Sequence, residues 1–259
     1  MNERVLSFQG IHNFRDYGGY HTPSGKIRAG LLWRSGQHGD ATADDLDGVA
    51  SLRIATIIDL RGDSERRVAP CRRHGAFDGT VLFAPGETAG SKLAPHQQAA
   101  KGVATAEEAR AAMQELYVSM PYRDVLIRTL TLYFKALATR DGASLLHCLA
   151  GKDRTGLAAA LLHSLLGVGE DDIMADYLLT NTAGNPERRI ASAAASMRAN
   201  YGQQMTDEAI IALMSVEADY LHTAFASIRE RHGNIQNYAE QVLEVDGARR
   251  EAIAARLIG

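Results

Sequence analysis

The chain has 259 residues, 46% hydrophobic and 23% charged, which is enough to bury a sizeable core and too balanced for a disordered or fibrous protein. A formal net charge of -3 gives no overall electrostatic reason to hold nucleic acid or an anionic membrane, although local basic patches stay open. With Cys71 and Cys148 as the only cysteines, a disulfide framework is not expected, and a working thiol suits a reducing compartment; the plain alternative for each is a small buried apolar side chain.

From the start of the chain, "MNERVLSFQG" lacks a charged segment followed by an apolar one, and no apolar run approaches the ~18 residues of a membrane span. A cytoplasmic protein without integral membrane association is expected, with export lacking a cleaved signal left open. "NFRDYGGYHTPSGKI", from Asn13, has the glycines and proline of turns and short strands, and "RAGLLWRS" reads as a strand. Thr42, with Asp45 three positions on and Leu46, Val49 and Leu52 on one face, predicts a short capped helix. The β-branched run Ile54 to Leu60 predicts a buried strand with Asp59 at its end, and "TVLFAP" predicts another.

Gly86 to Ala112 is poor in large apolar residues, and a lid insertion reaching to about residue 120 is the expectation, beside the plain alternative of a solvated helix. "MQELYVSMPYRDVLIRTLTLYFKALA" reads as helix broken at Pro121. "GASLLHC" predicts a short buried strand, and "TGLAAALLHSLLGV" a helix apolar nearly all round, hence central. The remainder is mostly helical, including Glu217 to Glu230 and "ARREAIAARLIG". Strands alternating with helices predict an α/β fold, with a largely parallel central sheet flanked by helices. No internal repeat and no sharp shift in composition divides the chain, so a single domain over 1–259 is expected.

The chemistry concentrates in "HCLAGKDRTG", where a strand turns through Gly151 into a helix near Arg154. Backbone N–H groups at such a helix start form an anion cradle. The helix dipole and Arg154 would stabilise a thiolate at Cys148, lowering its pKa from about 8.5 toward the ~3.5 to 7.5 range of such sites. Arg154 supplies a planar fork for two non-bridging oxygens of one phosphate, which a lysine cannot do. Together they specify attack of sulfur on phosphorus. Cys-x5-Arg alone is a weak signal; His-Cys-x5-Arg-[Ser/Thr]-Gly between a buried strand and an apolar helix is a strong one.

This stretch resembles the signature loop of the cysteine-based protein-tyrosine phosphatase superfamily. With "NFRDYGGY", "GLLWRS" and "DLRGDSE" upstream, it resembles the bacterial branch that includes tyrosine and phosphoinositide phosphatases, from about Asn13 to the C-terminal helices. The resemblance implies a phosphatase fold in which Leu149, Ala150, Gly151, Lys152, Asp153 and Arg154 bind phosphate. It makes Cys148 the nucleophile of a phosphocysteine intermediate and Arg154 the binder of the phosphoryl oxygens. Thr155 would hydrogen-bond the thiolate and help it leave. Neither a cofactor nor a metal is needed. His147, pointing to the opposite face of its strand, orients the loop from behind.

Many members of the superfamily take their general acid from a Trp-Pro-Asp motif, which is absent here, since Trp33 is the only tryptophan and lies in "WRS". Two aspartates compete for the role. Asp153 leads, and Asp59 is the second candidate, with an ion pair to a nearby arginine as its favoured reading. Lys152 is read either as positive potential at the pocket mouth, as in relatives that accept phosphoinositides, or as a solvated lysine. Arg15 and Asp16 are expected to pack near the site or to belong to a structural turn, and Arg34 to support the site. A phosphotyrosine protein is the leading substrate, with phosphoserine, phosphothreonine or a phosphoinositide as further ones, and nucleic acid is not a partner. A small-molecule phosphatase is the alternative of the same mechanism; a silent phosphate reader or a rhodanese-type sulfur transferase fits less well.

Overall fold

The computed structural model describes residues 3–88, 99–184, 186–201 and 204–259. In chain order its elements are β1 (Arg15–Asp16), β2 (His21–Thr22), β3 (Gly25–Lys26), β4 (Leu32–Ser35), α1 (Ala43–Ser51), β5 (Ile54–Asp59), α2 (Asp63–Val68), β6 (Thr80–Leu82), α3 (Ala106–Ser119), α4 (Asp124–Thr139), β7 (Ala143–His147), α5 (Asp153–Leu166), α6 (Glu170–Leu178), α7 (Pro186–Tyr201), α8 (Asp207–Met214), α9 (Ala218–His232), α10 (Ile235–Leu243) and α11 (Gly247–Leu257). The fold is α/β: a five-stranded sheet in the order β1-β4-β7-β5-β6, flanked by helices. Only the two-residue edge β1 runs antiparallel to its neighbour; β4, β7, β5 and β6 are parallel.

Local chemistry explains the element ends. Thr42 and Asp45 form the reciprocal capping box of α1, and Asp45 also accepts the backbone N–H groups of Gln9 and Gly10, tying the N-terminal arm to that helix. Thr105 and Glu108 cap α3 in the same way. Pro121 falls in a 3-10 turn, Met120–Tyr122, which separates α3 from α4. Of the expected lid, residues 89–98 lie outside the described residues. Its C-terminal end is an ordinary amphipathic helix, with Ala109, Met113, Leu116 and Tyr117 of α3 buried.

The main core lies between the sheet and the helical layer, and α5 runs through it with every residue but Ser164 buried. A smaller core on the opposite face is built on Phe14, Trp33, Ile54, Ile57 and Leu145 beneath α1. The parallel register sets Ser35, His147 and Asp59 side by side at the C-terminal ends of β4, β7 and β5. Three loops therefore leave the sheet together, at the edge where parallel α/β sheets hold their ligands.

Candidate active site

The loop after β7 depends on Gly151. Its φ is +66°, and a Cβ there would lie 2.4 Å from the backbone of Ser35, so both conformation and space demand glycine. The carbonyls of the loop are held by donors outside it. Gln37 N donates to the Leu149 carbonyl at 2.9 Å, and Asn13 Nδ2 and Arg34 Nη2 donate to the Gly151 carbonyl at 2.7 and 3.2 Å. Because N–H and C=O point to opposite sides of a trans peptide, these contacts turn the N–H groups of Ala150 and Lys152 the other way. Together with the N-terminus of α5, that arrangement makes an anion cradle beside Cys148, whose side chain is buried at 2% exposure.

Behind the loop stands a buried ionic cluster centred on Asp176 of α6. Arg34 Nη1 meets Asp176 Oδ2 at 2.6 Å, while Arg15 reaches Asp176 Oδ1 at 3.4 Å and the Asp176 carbonyl at 2.8 Å. Arg15 also donates to Asn13 Oδ1 and Thr180 Oγ1, so the two arginines, the aspartate and Asn13 form one brace under Gly151. Burial opposes charge on Arg15 and on Asp176. It would raise Asp176, yet Arg15 and Arg34 hold that carboxyl well below its ordinary value; burial and the neighbouring Arg34 push Arg15 down to about 10. Asp16, by contrast, accepts the N–H groups of Gly18 and Gly30 and serves the turn.

Arg154 is also buried and oriented by an acid. Its Nη1 and Nη2 reach Glu65 Oε2 and Oε1 at 2.6 and 2.7 Å, and Nη1 further meets the Leu60 carbonyl and Thr88 Oγ1. Burial would lower its pKa, but Glu65, with a further contribution from Cys148, raises it above the ordinary guanidinium value. Glu65 is itself fixed, capping Gly62 N at 2.9 Å at the start of α2. A guanidinium has five N–H donors in a rigid fork. With one edge on Glu65, the Nε–H and the second Nη2–H of Arg154 have no acceptor among the described residues, which leaves a second edge for an oxyanion.

The two candidate acids are placed differently. Both oxygens of Asp59 are taken by Arg61, through Nε at 2.9 Å and Nη2 at 2.8 Å, and His147 Nε2 lies 3.8 Å away. Burial would raise Asp59, but His147 and Arg61 hold it at about 2. Asp153 has Oδ1 engaged by the Tyr117 hydroxyl at 2.9 Å and by Lys152 Nζ at 3.0 Å, and Tyr177 donates to Tyr117 at 2.7 Å. No partner holds Asp153 Oδ2 among the described residues. His147 sits behind the loop with Nδ1 3.2 Å from the Cys148 carbonyl, and burial lowers its pKa, favouring the neutral ring. The Thr155 hydroxyl is fully buried and has no hydrogen-bond partner among the described residues.

Lys152 departs from both readings of the sequence. It is neither solvated nor at the mouth: at 1% exposure its ammonium binds the carbonyls of Leu213 and Ser215, at 2.7 and 3.0 Å, where α8 ends. Those carbonyls lack helical partners, and a cation at a helix C-terminus satisfies them. Cys71 lies apart from the loop, with Sγ accepting from His38 N at 3.3 Å and Arg61 Nη2 at 3.1 Å, and burial raises its pKa.

Glu65, Asp176, Tyr117 and Asn13 were not singled out as site residues by spacing. Glu65 and Asn13 stand inside quoted stretches of sequence, "DLRGDSE" and "NFRDYGGY", but nothing local pairs either with a loop 89 or 138 positions on. Asp176 and Tyr117 carry no local signal at all.

The profile of the tyrosine phosphatase family matches residues 6–259. A Cupriavidus necator protein that carries the provisional name tyrosine-protein phosphatase is 34% identical over 94% of this chain and 85% of its own length. The triple specificity protein phosphatase PtpB of Mycobacterium tuberculosis is 29% identical over 90% of this chain and 92% of its own. A tyrosine-protein phosphatase of Nostoc commune is 32% identical over 60% of this chain and 49% of its own.

Proposed function

Because this chain belongs to the tyrosine phosphatase family and is a cysteine-dependent phosphatase, we propose that it hydrolyses phosphotyrosine in proteins through a phosphocysteine intermediate at Cys148. One observation carries the reading: a buried cysteine at the end of the central strand faces an arginine that Glu65 orients along one edge only. The unpaired edge of Arg154 and the loop N–H groups bind the non-bridging oxygens, and they bind them better as charge builds in the transition state. Cys148 Sγ attacks phosphorus as the ester oxygen departs, and Asp153 delivers a proton to that oxygen. Water then attacks the phosphocysteine, Asp153 takes its proton, and the buried Thr155 hydroxyl donates to the departing sulfur.

Asp153 suits proton transfer better than Asp59 because it keeps an oxygen uncommitted, whereas Arg61 takes both oxygens of Asp59. Asp153→Asn should therefore slow phenyl phosphate hydrolysis about 10²- to 10⁴-fold, the usual worth of a general acid. For an ester with a very acidic leaving group the loss should be below about tenfold. Equal losses on the two esters would remove Asp153 from the role.

Broader substrate choice, in keeping with the name of the Mycobacterium relative, extends the proposal to phosphoserine, phosphothreonine and phosphoinositides. Lys152 lends no support to a lipid headgroup, being committed to α8. The test is phosphate release without added metal from a phosphotyrosine peptide, a phosphoserine peptide, phosphoinositides and nucleotide monophosphates, side by side. The expected order puts the phosphotyrosine peptide first; dominance by a nucleotide would replace the protein substrate with a small metabolite.

A further inference from the structure

The face of the sheet turned away from the main helical layer is thinly covered. Its core is roofed by α1, and Val49, Leu52 and Phe77, which pack there, are only half-buried. Between α1, β5 and the loop 70–79 the structure leaves a cavity of about 340 Å³, walled by Leu46, Val49, Ile54, Ile57 and Phe77. Protein interiors close such gaps to crystal-like density, and this volume lies within the range of small-molecule sites.

The lining is not apolar throughout. Arg53, Arg72 and Arg73 also border the cavity, and all three are exposed. Arg72 donates to the neutral carbonyl of Ala41, while the guanidinium groups of Arg53 and Arg73 make no hydrogen bond or ion pair among the described residues. Of the other titratable groups there, His74 lies 3.3 Å from Asp47, His38 bonds Ser35 Oγ at 3.0 Å, and Asp78 is the one acid lining the cavity. Three guanidinium groups thus stand against one carboxylate beside an apolar cleft, on a chain whose formal net charge is -3. Cys148 and Arg154 do not line it.

We propose that this cavity is a second ligand site, taking a small amphiphile with an alkyl body in the cleft and a carboxylate head on Arg53 and Arg73. The alkyl body removes from water the half-covered walls of Val49 and Phe77, and the planar guanidinium groups match a carboxylate in a bidentate manner. The site is independent of the assignment of Cys148, since it shares no residue with the phosphate loop.

The probe is decanoate, titrated calorimetrically into the full chain below its aggregation concentration, with decanol and a decyl ammonium salt as neutral and cationic contrasts. Saturable one-to-one binding of decanoate is expected, at least tenfold tighter than either contrast. The Arg53→Ala/Arg73→Ala variant should weaken decanoate at least tenfold, and Val49→Trp, which fills the cleft, should abolish the binding. Both variants should hydrolyse a chromogenic phosphate ester at the parent rate. Should Val49→Trp fail to fold, the double arginine variant, changed only at exposed positions, decides alone. No saturation below about 1 mM, the weak end of specific affinity, would overturn the proposal. So would equal affinity for the cationic amphiphile, or an unchanged constant in the double arginine variant.

Discussion

Cys148→Ser is expected to lower turnover of a phosphotyrosine peptide by about 10⁴-fold or more while leaving phosphate binding within about threefold. The two effects separate because different atoms produce them. Turnover needs an ionised nucleophile that can also leave, and a serine hydroxyl stays protonated at neutral pH and leaves phosphorus poorly. Binding needs the loop N–H groups and the Arg154 edge, which Gln37, Asn13, Arg34 and Glu65 hold in place without help from sulfur. The measurement pairs steady-state rates with calorimetric titration of inorganic phosphate. Residual turnover above about 1% would move the nucleophile elsewhere. Loss of phosphate binding together with turnover would mean that the cysteine, not the surrounding donors, organises the loop.

Asp176→Asn is expected to cost about 3 to 5 kcal/mol of stability, although Asp176 belongs to no sequence motif and lies behind the loop. Arg15, Arg34 and Asp176 are all essentially excluded from water, so removing the one carboxylate leaves two buried guanidinium groups facing each other without compensation. For a chain of this length that loss corresponds to a fall in Tm on the order of 10 °C, read by calorimetry. Activity measured below the transition should fall as well, because Arg34 loses the partner that aims its Nη2 at the Gly151 carbonyl. Asp172→Asn on the exposed side of the same helix is the control, with a change within about 0.5 kcal/mol. Equal melting of the two variants would show that the arginines find other acceptors and that the brace is dispensable.

One prediction concerns the cysteine in the loop and the other a carboxylate that braces the loop from behind, and they differ in how far the amino-acid order alone reveals them. Cys148 and Arg154 are legible because a strand, a glycine turn and a helix N-terminus are local structures, set by a few consecutive residues. The capping box at Thr42 and the break at Pro121 are legible for the same reason: each rests on hydrogen bonds or on a missing N–H within one turn of chain.

What only the tertiary structure decided is which charge meets which. Glu65 aligns Arg154 from 89 positions away, Asp176 joins Arg15 and Arg34 from 161 and 142 away, and Lys152 turns inward to carbonyls more than 60 residues on. The engagement of Asp153 Oδ1 likewise depended on where Tyr117, 36 positions away, came to rest. A buried charge must find a partner, but which one it finds depends on the strand order that brings separate loops to one edge of the sheet. Local sequence determined the cradle and the cysteine beside it; the packing of distant elements determined the orientation of the arginine and the commitment of the lysine.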